Sequence, residues 1–125
     1  MSFSESESAA LAVVDAYIDT FNQGDSVRWL ATMHYPHVRH ADTKLTIDET
    51  LQKTIGWART RLDSKQIVQS DPEKVHVAVT VTRLRQNGSE IHTFNSLYVV
   101  TKQDGKWAIA IRSSFAPDKF SKEPR

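Results

Sequence analysis

The sequence predicts an α+β fold, with N-terminal helices packed on one face of an antiparallel sheet. Three features carry this reading. Residues up to Gly24 hold an apolar stripe at helical spacing. Val75 to Val81 alternates with period two, as a strand with one buried face does. Asn87-Gly88 and Asp104-Gly105 are strong hairpin signals that divide the C-terminal half into strands. The chain has 125 residues, 39% hydrophobic and 25% charged, enough for one core and one domain. We take residues 1–125 as that domain, with a core from about 9 to 116 and short polar tails at both ends.

The first helix opens with Ser4 and Glu7 at capping-box spacing. Its inner stripe is Ala10, Val13, Val14, Tyr17, Ile18 and Phe21. Gly24 suits a left-handed stop, and Asp25 can cap a second helix through about Met33, burying Leu30 and Met33 with Val27 and Trp29 flanking. Pro36 ends that helix, because proline disfavours helical torsions in the residue before it. His37–His40 and Lys44–Ile47 read as short extended pieces. A third helix follows from Thr46 or Asp48, with Leu51, Ile55, Ala58 and Leu62 on one face and Gly56 marking a close packing contact. The remainder is a four-strand meander starting at Lys65 and ending near Phe115, with a polar tail from Pro117.

The hairpins set a register. A two-residue Asn87-Gly88 loop pairs Gln86 with Ser89 and places Arg83 opposite His92, Val81 opposite Phe94, Val79 opposite Ser96 and Val77 opposite Tyr98. The Asp104-Gly105 loop pairs Gln103 with Lys106 and Val100 with Ile109. Unbroken alternation then sets Tyr98 opposite Ile111, Ser96 opposite Ser113 and Phe94 opposite Phe115. One face is large and apolar and takes the helices. The other carries Ala78, Thr80, Asn95, Leu97, Ala110 and Arg112, with few charges for a face left in water. That pattern suggests a homodimer meeting sheet to sheet.

Composition excludes several classes. Lys plus Arg number 16 against 15 for Asp plus Glu, and no basic stripe is visible, so no nucleic-acid partner is expected. No cysteine is present, which removes a thiol nucleophile and a Cys-ligated zinc site and suits a cytoplasmic protein. No apolar run approaches bilayer length, so no membrane partner is expected.

Tyr17-Ile-Asp-Thr-Phe-Asn-Gln-Gly-Asp25, the segment Leu30–Tyr35 and the closing Gly105-Lys-Trp107 with Ile109 and Arg112 resemble the nuclear transport factor 2-like (cystatin-like, SnoaL/ketosteroid-isomerase-like) superfamily. The resemblance covers roughly residues 9–116 and implies a cone-shaped, curved antiparallel sheet wrapped around three N-terminal helices. It also implies a cavity at the open end, which binds small molecules in enzyme members and is absent or filled in interaction modules.

Candidate site residues follow from the inward face. His92 can carry a proton, and Arg83 opposite it can hold an anionic or carbonyl oxygen while keeping the imidazole neutral. His37 is a second proton carrier and Tyr17 a hydroxyl donor on the helix stripe. Trp29, His34, Phe94, Ser96, Tyr98, Ile111 and Ser113 complete a candidate ligand wall. His34, His37 and His40 invite a metal reading, but an extended piece points His37 and His40 to opposite faces, so neither metal nor cofactor is expected. The inward face has no Asp or Glu between Val75 and Phe115, which departs from ketosteroid-isomerase-like and epoxide-hydrolase-like chemistry. His76 points outward, so the paired histidines of scytalone-dehydratase-like sites are also missing. The expected function is binding of an apolar or carbonyl-containing small molecule, with isomerase, lyase or cyclase chemistry through histidine. The alternative is a non-catalytic ligand-binding or dimerisation module.

Overall fold

In a computed structural model describing residues 4–41 and 56–115, α1 spans Ser4–Gln23 and α2 spans Ser26–Leu30. They are followed by β1 (Met33–Ala41), β2 (Trp57–Ser70), β3 (Lys74–Arg85), β4 (Glu90–Gln103) and β5 (Lys106–Ser114). The strands form one curved, unclosed sheet in the order β1-β5-β4-β3-β2. β2 to β5 are an antiparallel meander, as expected, but β1 pairs with β5 in parallel, so the sheet is mixed. No helix of the described residues is long and apolar enough to cross a membrane.

The apolar stripe of α1 lands on the sheet as its spacing predicts. Ala10, Val14, Tyr17 and Ile18 are buried against Val75, Val77, Val79, Val81, Tyr98, Val100 and Ile109. The alternate valines of β3 are nearly inaccessible, and each fully buried one contributes roughly 1.5–3 kcal/mol. Glu7 accepts from Ser70 Oγ at 2.5 Å, so it latches the helix to β2.

Two helix expectations fail. α2 ends at Leu30, and Leu30 is 47% exposed rather than buried. Past it, the Thr32 carbonyl accepts from the Ile109 amide at 2.8 Å, so the chain joins the sheet and Met33 is buried as a strand residue. Pro36 lies inside β1, where the ladder with β5 shifts register between Met33 and Val38. The second concerns the last part of the expected third helix: Trp57–Leu62 is strand, and the described residues hold two helices. The i, i+4 apolar spacing of Ala58 and Leu62 is overruled by a ladder to β3 running from Trp57↔Arg85 to Ser70↔Val75. Gly56 has φ +80° with only Arg85 Cγ, at 4.0 Å, near its missing Cβ; the turn's left-handed torsion, not close packing, requires it. The Lys44–Ile47 piece, the start of the expected third helix and the tail from Pro117 lie outside the described residues.

The β3–β4 register agrees with the expectation: Arg83↔His92, Val81↔Phe94, Val79↔Ser96 and Val77↔Tyr98. The tip differs. The Arg85 amide bonds to the Ser89 carbonyl and the Gly88 amide to the Arg85 carbonyl, both at 2.9 Å, so the loop is Gln86–Gly88 rather than two residues. Leu84 then faces Glu90, and Ile91 is the extra residue that restores the register. At the other hairpin Gln103↔Lys106 and Val100↔Ile109 hold, but Val99 pairs with Ile111. Ala110 is the extra residue of a bulge. Beyond it Tyr98 faces Arg112, Leu97 faces Ser113 and Ser96 faces Ser114. The pairs expected there, Tyr98–Ile111, Ser96–Ser113 and Phe94–Phe115, do not form.

Three polar latches tie α1 to β2, the strand at the sheet edge. Besides Glu7–Ser70, Lys65 Nζ holds both Asp15 oxygens at 2.6 and 2.5 Å. Asn22 donates to the Thr60 carbonyl at 2.7 Å and accepts from the Thr60 amide at 2.8 Å, taking the part of a neighbouring strand. This explains the asparagine of the Asn-Gln-Gly-Asp turn. Its aspartate, Asp25, caps α2 by accepting from the Arg28 amide at 3.1 Å. Asn22→Ala leaves both Thr60 groups unpartnered in a half-buried place. Urea denaturation should show a loss of about 1–3 kcal/mol.

Candidate functional site

Burial on the inner face is complete at one end and falls off toward the other. Along β3 the inward positions Val75, Val77, Val79 and Val81 are buried, and Arg83 is only half-buried. Along β4 Val100, Tyr98 and Ser96 are buried, whereas Phe94 and His92 are half-buried. On β5 Ile109 is fully buried, but Arg112 and Ser114 are not. Helix α1 therefore fills only part of the curved sheet, and the polar groups collect where filling stops.

Arg112 organises this end. Its Nε donates to His37 Nε2 at 2.9 Å, and its Nη1 donates to the Tyr17 hydroxyl. A guanidinium can only donate, so His37 Nε2 must be an acceptor and Nδ1 carries the proton. Nδ1 in turn lies 3.1 Å from the Ile109 carbonyl, to which it donates. His37 is thus a neutral imidazole held at both nitrogens. Burial lowers its pKa from the ordinary 6.5, the Arg112 charge lowers it further, and the backbone bond at Ile109 opposes them only in part.

Aromatic rings wall the cluster. The Tyr17 ring lies 5.4 Å from Tyr98, edge-on, and 5.8 Å from Trp29. Trp29 continues to Phe21 at 5.6 Å, and Phe21 to Trp57 at 5.1 Å. Tyr98 is 5% exposed; burial, with the neighbouring Tyr17, pushes its hydroxyl far up, so it stays protonated.

Among the expected site residues, Tyr17, His37, Trp29 and Tyr98 come together. Arg83, His92 and Phe94 form a separate group. The Arg83 guanidinium lies 5.0 Å from the Phe94 ring centre, and the His92 ring 5.8 Å from it. On β4, His92 is about six residues from Tyr98, roughly 20 Å along the strand. Arg83 and His92 therefore face each other as expected, and Arg112 bonds a neutral His37 in the other group. His34 is buried and its Nε2 meets the Thr101 carbonyl at 2.9 Å, a structural tie rather than a wall position. Ser96 bonds Ser114 Oγ at 2.7 Å, the cross-strand hydroxyl pair expected with Ser113.

Ile111 and Ser113 are not on the inner face. The bulge at Ala110 turns both outward, leaving Ile111 39% exposed, and turns Arg112 inward from the outer face where alternation had placed it. Nothing in the local sequence Ala108-Ile-Ala-Ile-Arg112 marks this extra residue. Among the described residues no group of three His, Cys, Asp or Glu is arranged to hold a metal.

Residues 47–116, more than half of the chain, match the family described as NTF2-like protein (DUF6841). The chain belongs to this family. No curated protein sequence matches it. Solved structures share the fold at low identity. An NTF2-like protein with a cystatin-like fold from Novosphingobium aromaticivorans superposes with TM-score 0.74 and 9% identity, over 91% of this chain and 83% of that one. A cystatin-like protein from Nostoc punctiforme gives 0.70 and 13%, over 87% and 89%. A ketosteroid isomerase-like protein from Erwinia carotovora atroseptica gives 0.66 and 18%, over 86% and 93%.

The state of His37 sets a pH dependence. The native protein keeps it neutral below the ordinary value of 6.5, whereas the unfolded chain binds a proton there. Its contribution is thus fully present above pH about 6.5 and is lost as pH falls through the lower native value. An NMR titration of the ring protons should place His37 below 6.5, and Arg112→Gln should move it upward by removing one of the three lowering causes, which are burial, Arg112 and Arg39.

Proposed function

We propose that this NTF2-like protein binds a small carbonyl-containing molecule at the open end of the inner face and moves a proton on it, as an isomerase or lyase does. The observation that carries this reading is the Arg112 guanidinium bridging the Tyr17 hydroxyl and a neutral His37. A carbonyl oxygen meeting Arg112 and Tyr17 is polarised toward an enolate. The Arg112 fork then turns to that oxygen and releases His37 Nε2, whose lone pair takes the proton from the adjacent carbon. The electron pair of the broken C–H bond moves into the enolate. Return of the proton elsewhere completes an isomerisation, and departure of a leaving group completes an elimination. The new imidazolium faces Arg112, a repulsion that the enolate charge offsets. Cytoplasmic function suits a chain without cysteine.

The fold likeness to a ketosteroid isomerase-like protein is compatible with this chemistry. The test is exchange of α-protons for deuterium in cyclic ketones and enones, followed by NMR. Wild type should accelerate exchange, Tyr17→Phe should reduce the rate by roughly 10–1,000-fold and His37→Ala should remove it. Absence of exchange with every compound, or rates unmoved by both variants, sinks the catalytic reading in favour of a non-catalytic binding or interaction module.

The homodimer is also proposed, through the outer face. A hollow of about 400 Å³ there is lined by Ser64, Gln66, Thr80, Asn95, Leu97, Phe115 and neighbours, none of them ionisable. Across a two-fold axis like meets like, so a patch without charge suits a second copy of itself. Asn95→Lys sets two charges against each other at that patch. Sedimentation velocity should then give a monomer where the unmodified protein gives a dimer; an unchanged sedimentation coefficient counts against this face.

A further inference from the structure

We infer that the ligand of the Arg112 site is an anion, a planar molecule whose carboxylate sits on the guanidinium; this rests on the placement of the site under Proposed function but not on its chemistry. Arg112 is a half-buried cation whose side-chain partners, His37 and Tyr17, are both polar groups without negative charge. The described carboxylates with ion-pair or latch contacts are engaged elsewhere. Asp15 holds Lys65, Asp63 and Glu90 hold Arg61, and Asp25 contacts Arg28. Among the described residues none pairs with Arg112.

The bulge makes this more than an accident of composition. Unbroken alternation at β5 would bring Ile111 against the apolar face and leave Arg112 in water. One inserted residue, Ala110, reverses the two, setting Arg112 on the helix-facing side beside Tyr98 at the expense of ladder regularity. Among the described residues two partners consume two of the five guanidinium N–H groups, which leaves three to donate to an oxygen. A planar carboxylate offers acceptors in the fork geometry that a guanidinium matches.

Among the described residues the surroundings add donors and no charged acceptor. The Tyr17 hydroxyl receives Arg112 and keeps its own proton to donate. The Trp29 Nε1–H is buried with no acceptor among the described residues, and its ring lies 5.8 Å from Tyr17. Tyr17, Tyr98 and Trp29 present ring edges and faces, which suit a flat, conjugated body behind the carboxylate. The substrate class is therefore an unsaturated or aromatic carboxylic acid, and a reacting carbonyl compound would be an oxo acid of that shape.

The probes are 2-naphthoate and 2-naphthamide, equal in shape and different in charge, titrated by tryptophan fluorescence and checked by calorimetry at pH 7.5. Naphthoate should bind at least about tenfold tighter than the amide. Arg112→Gln should bring the two affinities together, and Arg112→Lys should keep part of the preference. Thermal melts of both variants confirm folding. Equal binding of the two probes overturns the anion inference while leaving a ligand site in place. A naphthoate preference that survives Arg112→Gln overturns it by locating the anion elsewhere. Binding of neither probe to the folded wild type overturns the inference, whereas the deuterium-exchange result bears on the proton chemistry independently.

Discussion

The alignment of β4 with β5 governs which side chains the inner face receives. From the Asp104-Gly105 turn the ladder runs evenly to Val100↔Ile109, and then one residue, Ala110, stands without a counterpart. Every side chain beyond it changes face. Arg112 and Ser114 turn toward α1, where they meet Tyr17 and Ser96, and Ile111, Ser113 and Phe115 turn to the far side. β1 then reads the shifted backbone. Its parallel ladder resumes at Val38↔Ile111 after an irregular stretch from Met33, and His37 lies within that stretch, beside Arg112. Two irregularities on adjacent strands thus meet at the cluster, as bulges near functional sites do.

Much of the fold was legible in the sequence, because its signals are local and repeated. The α1 stripe, the alternation of β3 and the Asn87-Gly88 signal place ten core side chains and a β3–β4 register that runs correctly from Val77 to Arg83. The bulges were not legible, since an inserted residue answers to the curvature of the whole sheet rather than to neighbouring residues. At Ile91 the error cancelled, as a three-residue loop and a bulge together restore the count. At Ala110 nothing cancelled it, and Arg112 was assigned to the wrong face. Trp57–Leu62 failed for a related reason. Its apolar spacing permits a helix, and only the long ladder offered by β3, itself unambiguous, makes strand the better choice.

The residue types of the candidate cluster were legible and their positions were not. An arginine beside a neutral histidine, with a tyrosine on the first helix, is the expected chemistry. Tyr17 and His37 are the expected members, but the arginine comes from β5 rather than β3. Arg83 and His92 keep their predicted pairing and sit with Phe94 farther along the same face. Cross-strand neighbours are readable from a hairpin, whereas contacts between a helix, a parallel edge strand and a bulged strand depend on tertiary geometry.

The Asn22 clamp on Thr60 has one more bearing. A β2 of 14 residues at the sheet margin displays a row of amides and carbonyls able to template a foreign strand. The side chain of Asn22 occupies one such pair outright, register shifts at three places along β2 break the straightness that templating needs, and Arg59, Arg61, Asp63 and Lys65 crowd the margin with charge. The helix–strand latch therefore doubles as protection against runaway polymerisation, letting a long hydrogen-bonding border remain at the surface of a small protein.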